Sequence, residues 1–173
     1  MATNYGKKFE QKIKEACLRV PDTIVERLPD QQSGYFGSKN PCDFIVYHYP
    51  RLFYIECKSI HGDYFPLSNL TENQYQCLLE RNNVECVIAG VIIWFINHDR
   101  TVFIPISDIK NLRENGTKSI KHTVDETVCK NYFEIEGKKN RVFFNYEMRK
   151  FLKVYRPVKW KFDCGGLKIT QYE

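Results

Sequence analysis

Asp43-Phe-Ile-Val-Tyr-His-Tyr-Pro-Arg-Leu-Phe-Tyr-Ile-Glu-Cys-Lys58 is the stretch that decides the fold. Two runs rich in β-branched and aromatic residues, Asp43 to His48 and Leu52 to Lys58, flank Tyr49-Pro-Arg51. That pattern predicts a β-hairpin. A turn centred between Tyr49 and Pro50 sets Asp43 directly opposite Glu56, and opposed residues share one sheet face with Cβ atoms ~5 Å apart. Lys58 is two residues beyond Glu56 and points to the same face, whereas Cys57 points to the other. Two carboxylates and an ammonium therefore converge. Carboxylates this close raise each other's pKa, and a divalent cation relieves the conflict. Mg²⁺, with Mn²⁺ as a possible substitute, suits such an oxygen set. The same spacing also fits a cross-strand acidic pair offset by a lysine on a wet face.

Outward from the hairpin, Phe9, Ile13, Ala16, Cys17 and Val20 recur at helical spacing, with Asn4 as candidate N-cap and Pro21 as the stop. Leu28 to Pro41 reads as a loop, with a short strand at Tyr35-Phe36. Thr71 to Asn82 reads as a helix burying Tyr75, Leu78 and Leu79, and Val84 to Ile96 as a long central strand. Asn97 to Arg100 turns the chain into the partner strand Thr101 to Ile104. Pro105 to Asn115 reads as a helix stopped by Gly116. Tyr132 to Ile135 and Arg141 to Tyr146 read as strands joined by a turn at Gly137 to Asn140, and Met148 to Lys161 has no clear pattern. The order helix, hairpin, helix, strand, strand predicts an α/β fold with a mixed sheet flanked by helices. A chain of 173 residues fits a single domain over residues 1–173.

No apolar run reaches the ~20 residues of a membrane span, and no signal-peptide pattern is evident, so a cytoplasmic protein is expected. Seven cysteines form no C-x-x-C pair and most lie among apolar neighbours, which argues against disulfides and a cysteine zinc site. His48, His61, His98 and His122 are scattered, and no spacing pairs them with a nucleophile or a metal; they read as surface residues. Net charge is +5 but unevenly spread. Residues 1–109 hold 11 Lys/Arg against 13 Asp/Glu, a net of −2, and residues 110–173 hold 15 against 8, a net of +7. A basic tail beside a carboxylate site suits an enzyme acting on a polyanion. Lys138, Lys139, Arg141, Arg149 and Lys150 interleave with Phe143, Phe144, Tyr146 and Phe151. They read as a DNA-backbone surface, or as the wet face of a strand pair with core aromatics.

Asp43, a hairpin and Glu56-Cys-Lys58 resemble the PD-(D/E)XK nuclease superfamily. Asn4-Tyr-Gly6-Lys-Lys-Phe9-Glu10 is similar to the N-x-G-x-x-F-E opening of RecU-type Holliday-junction resolvases. Phe65-Pro-Leu67-Ser-Asn69 followed by Gln74 is similar to their F-x-L-x-N…Q segment. The resemblance covers about residues 4 to 115, a catalytic core, with a basic extension at about 116 to 173. It implies a restriction-endonuclease-like fold and a metal-dependent, structure-selective endonuclease that acts as a homodimer on branched DNA by paired nicks. Bacteria and phage-infected bacterial cells are the expected settings. It implies that Asp43, Glu56 and Glu10 bind the metal, that Lys58 is the catalytic lysine, and that Gln74 approaches from the second helix.

Several readings stay open. Glu10 also fits a solvent-facing helix edge, and Thr71-x-x-Gln74 also fits a capping box. Ser59 could meet phosphate or end its strand; Lys39 could meet DNA or be solvated. A nuclease of other specificity acting on duplex DNA, or a non-catalytic recombination accessory protein, would share the fold. The leading proline stands one residue early, in Pro41-Cys-Asp43, and the short Leu28 to Pro41 segment predicts a reduced version of the family's protruding stalk.

Overall fold

A computed structural model describes residues 5–28, 40 and 42–155. Asn4, the expected strand at Tyr35-Phe36, Lys39, Pro41 and the expected stalk region lie outside the described residues, as does the chain beyond Tyr155. Helix α1 (Tyr5–Leu18) buries Phe9, Ile13, Ala16 and Cys17, the stripe expected from their spacing. Strand β1 (Thr23–Arg27) follows, then the hairpin of β2 (Phe44–His48) and β3 (Arg51–Ile60). Phe44 pairs with Ile55 and His48 with Arg51, the register that the turn at Tyr49-Pro50 predicts.

Short strand β4 (Tyr64–Pro66) leads into helix α2 (Glu72–Arg81) and then to strand β5 (Val87–Phe95). Strand β6 (Arg100–Pro105), helix α3 (Ile106–Glu114), strands β7 (Ser119–Lys121), β8 (Phe133–Glu134), β9 (Gly137–Asn140) and β10 (Phe143–Tyr146) and helix α4 (Met148–Val154) follow among the described residues. Gly116, at φ +75°, ends α3 as a glycine C-cap does. Among the described residues, no helix is long and apolar enough to cross a membrane.

Among the described residues, six strands form one mixed sheet in the order β1-β2-β3-β5-β6-β8. Among the described strands only β3 and β5 run parallel, joined by the α2 crossover. All nine residues of β5 are buried, as expected for a strand covered on both faces. On one face Phe9, Phe44, Phe53, Trp94, Phe103 and Phe151 pack under α1 and α4; on the other Leu78, Val91, Ile93, Ile104 and Ile109 pack under α2 and α3. Arg51, buried at the hairpin turn, donates to the carbonyls of Leu152, Lys153 and Tyr155, and so caps the end of α4.

Three expectations need correction. Thr23 to Arg27 forms edge strand β1, which no turn-bounded apolar run announced. The central strand starts at Val87 rather than Val84, because Val84 is exposed and Cys86 takes a positive φ of 62°. Gly137 to Asn140 is strand β9 rather than a turn; it pairs with β10, and the chain reverses at Arg141, at φ 58°. Its residues are all exposed, so no alternation betrayed it.

Gly90 of β5 marks the tightest packing. A Cβ there would lie 2.5 Å from the Ile104 carbonyl oxygen and 2.5 Å from the Phe103 ring. The carbonyl belongs to a paired strand and cannot retreat. Gly90→Ala is expected to lower the unfolding free energy by about 2 kcal/mol or more, read by denaturant unfolding.

Candidate active site

Asp43 sits at the mouth of β2, where its N–H donates to the Ile55 carbonyl at 3.1 Å. Its carboxylate reaches across the hairpin, and Oδ2 accepts from the Cys57 N–H at 2.7 Å. Glu56, 2% exposed, points from β3 toward α2. Its Oε1 accepts from Lys58 Nζ at 2.8 Å and from Gln74 Nε2 at 2.5 Å. Lys58 also donates to Gln74 Oε1 at 3.4 Å. Glu56, Lys58 and Gln74 are thus joined by hydrogen bonds, and Asp43 lies close enough for the Glu56 charge to act on its carboxyl.

Gln74 serves both of the roles left open. Thr71 caps α2 by accepting from the Gln74 N–H, and the Gln74 side chain accepts from the Thr71 N–H at 3.2 Å, a complete capping box. Its amide nitrogen, which the cap does not need, grips Glu56. One side chain therefore fixes both the helix start and the carboxylate.

Among the described residues, Glu56 Oε2 is buried with no hydrogen-bond partner. Such an oxygen costs about 1–3 kcal/mol or more. Burial and the Glu56 charge push the Asp43 carboxyl up to about 7. Burial likewise raises Glu56, although the Lys58 ammonium opposes the rise. Glu10 adds to the negative potential at both groups, so α1 turns it toward the pair. Its own carboxylate is paired with Arg27 at 2.9 Å, a β1 residue that the sequence reading did not single out. An oxygen left orphaned beside like charges that burial has made costly fits a hard divalent cation. Thiols do not compete for it. Cys57 packs in the opposite core, and burial drives its pKa well above the ordinary thiol value; Cys42 is pushed up to about 12.

Ser59 alternates onto the Cys57 face, away from Lys58. Lys138 and Lys139 lie on β9, Arg141 in its turn, and Arg149 and Lys150 on α4. Lys139 pairs with Asp99 and Lys150 with Glu136, which tempers the positive field. Lys8 and Lys12 of α1, which were not singled out, line an open groove of about 530 Å³ with Asn140, Arg141, Phe143 and Asn145. The histidine reading is corrected. His48 is buried and meets Thr23 at 3.0 Å, and His98 and His122 stack on each other.

A mixed sheet of this order, with helices on both faces, is the fold of a resolvase nuclease. The chain is 18% identical to the Holliday junction resolvase Hjc of the archaeal hyperthermophile Archaeoglobus fulgidus, with a TM-score of 0.51 over 75% of this chain and 95% of that one. The family model for RecU, Recombination protein U, matches residues 5–149, and the chain belongs to that family. No curated protein matches it.

The raised Asp43 pKa has a consequence for stability. The folded protein holds a proton that the unfolded chain releases between about pH 4 and 7. Without divalent cation, the Asp43 contribution to stability is fully present below the ordinary carboxylate pKa and is lost as pH rises through about 7. Asp43→Asn is expected to flatten that fall. Urea melts in chelator across this range measure it, and equal slopes in the two proteins would refute it.

Proposed function

We propose that this chain is a divalent-metal-dependent DNA endonuclease that resolves four-way junctions by hydrolysing phosphodiester bonds, with Asp43, Glu56, Lys58, Gln74 and Glu10 as its active site. The observation that carries the reading is the Glu56 carboxylate. One oxygen is clamped by Lys58 and Gln74, and the other is buried and unpartnered beside Asp43. Membership of the RecU family and the fold shared with an archaeal resolvase support the choice of a branched substrate.

Asp43 and Glu56, with Glu10 drawn from Arg27, would hold the ion, and the all-oxygen set favours Mg²⁺, with Mn²⁺ as a substitute. A bound ion supplies Lewis acidity to the phosphodiester and to water. The Cys57 amide keeps the Asp43 carboxylate turned inward. Lys58, braced by Glu56 and Gln74, holds a donor where it can orient the attacking water and stabilise charge growing on the phosphate oxygens. Lys8, Lys12, Lys138, Arg141 and Arg149 offer cations to the DNA backbone. Residues 1–173 act as a single nuclease domain, paired with a second copy so that both strands are nicked, in a bacterial or phage-infected cytoplasm.

Asp43→Asn or Glu56→Gln is expected to abolish cleavage of a synthetic four-way junction while junction binding persists. Lys58→Ala is expected to lower the rate roughly 10²–10³-fold. Nicking assays with Mg²⁺ and with chelator, beside a linear duplex of equal sequence, provide the measurement. Full activity in either carboxylate variant would sink the site assignment, and equal cutting of the linear duplex would sink the junction preference.

A further inference from the structure

Away from Glu56, three polar side chains arrive together from segments far apart in sequence. Asp63 immediately precedes β4, and His122 immediately follows β7. Antiparallel pairing sets Tyr64 against Lys121, so Asp63 and His122 flank the last pair of this ribbon, and the His122 N–H donates to the Asp63 carbonyl at 2.8 Å. His98 comes from the 3-10 turn Ile96–His98 after β5. Its Nε2 lies 2.8 Å from Asp63 Oδ1, and its ring lies parallel to that of His122, with centroids 3.5 Å apart. One ligand atom from each residue lies within 4.8 Å of the other two, and among the described residues no other set of three such groups does this.

We infer that Asp63, His98 and His122 form a second metal site, selective for a borderline divalent transition ion of the Zn²⁺ kind, that fastens the β4–β7 ribbon to the turn after β5. Two imidazoles and one carboxylate suit Zn²⁺ better than Mg²⁺, which prefers oxygen alone. Three protein ligands leave the fourth tetrahedral position to water. Asp63 is exposed and both imidazoles are half-buried, so an ion has a path in. The nearby cations are Lys121 and Arg100. Arg100 is committed to Glu134 and to the carbonyls of His122 and Val124. An imidazole binds an ion within its own ring plane, and the two planes differ by only 1°. Binding therefore turns one ring and breaks the stack, a change visible in the imidazole NMR signals.

The full chain is titrated with Zn²⁺ by calorimetry and with Co²⁺ by visible absorption, in excess Mg²⁺ so that the oxygen site is occupied. One ion per chain is expected, with d–d bands and no thiolate charge-transfer band. His98→Gln and Asp63→Asn, checked for folding by circular dichroism, are each expected to weaken binding by at least about tenfold, or ~1.4 kcal/mol. Glu56→Gln is expected to bind as the wild type does. Zn²⁺ is expected to raise the Tm of the wild type but not of a His98→Gln/His122→Gln variant. No bound ion, a thiolate band, unchanged affinity in that double variant, or loss of the ion in Glu56→Gln would each overturn the inference.

Discussion

The hydrogen bond from the Cys57 amide to the Asp43 carboxylate is the constraint on which the site depends. It forms only if β2 and β3 pair in their observed register, because a slip of one residue would send Glu56 into the Phe53 core and Cys57 out toward α2. The register is held by what lies on the opposite face: Phe44, Val46, Phe53 and Ile55 are buried together under α1 and α4. Apolar packing on one side of the sheet thus supplies the free energy that keeps charged groups together on the other.

Those charged groups oppose folding. Burying Asp43 and Glu56 side by side raises both carboxyls, and Lys58 and Gln74 satisfy only one oxygen of Glu56. The protein carries local electrostatic strain at the point where chemistry is proposed, and the doubly covered sheet around β5 absorbs it. The strain is directional, since cation binding relieves it and deprotonation without a cation deepens it.

What the sequence made legible was local. The hairpin register followed from one turn, α2 from its capping pair Thr71 and Gln74, and the end of α3 from Gly116. Glu10 could be placed on a helix edge, but its partner Arg27 lies on β1, a strand too exposed to leave an apolar signature. Strand β9 was hidden for the same reason: Gly137-Lys-Lys-Asn140 carries turn chemistry, and only pairing with β10 makes it extended. His98 and His122 could not be joined by spacing at all, because their contact depends on the β4–β7 ribbon and on the turn after β5. The family resemblance pointed to the approach of Gln74 to Glu56, which spacing alone would have left as a helix cap.

The double duty of Gln74 ties the orientation of the Glu56 carboxylate to the end of a helix. Helix ends fray at temperatures well below those that melt a packed sheet. When the first turn of α2 loosens, the amide that grips Glu56 leaves with it, and the carboxylate loses its orientation while the core stays intact. Warming would then free the Glu56 carboxylate before it unfolds the sheet, with the first turn of one helix acting as a thermal fuse for the proposed site.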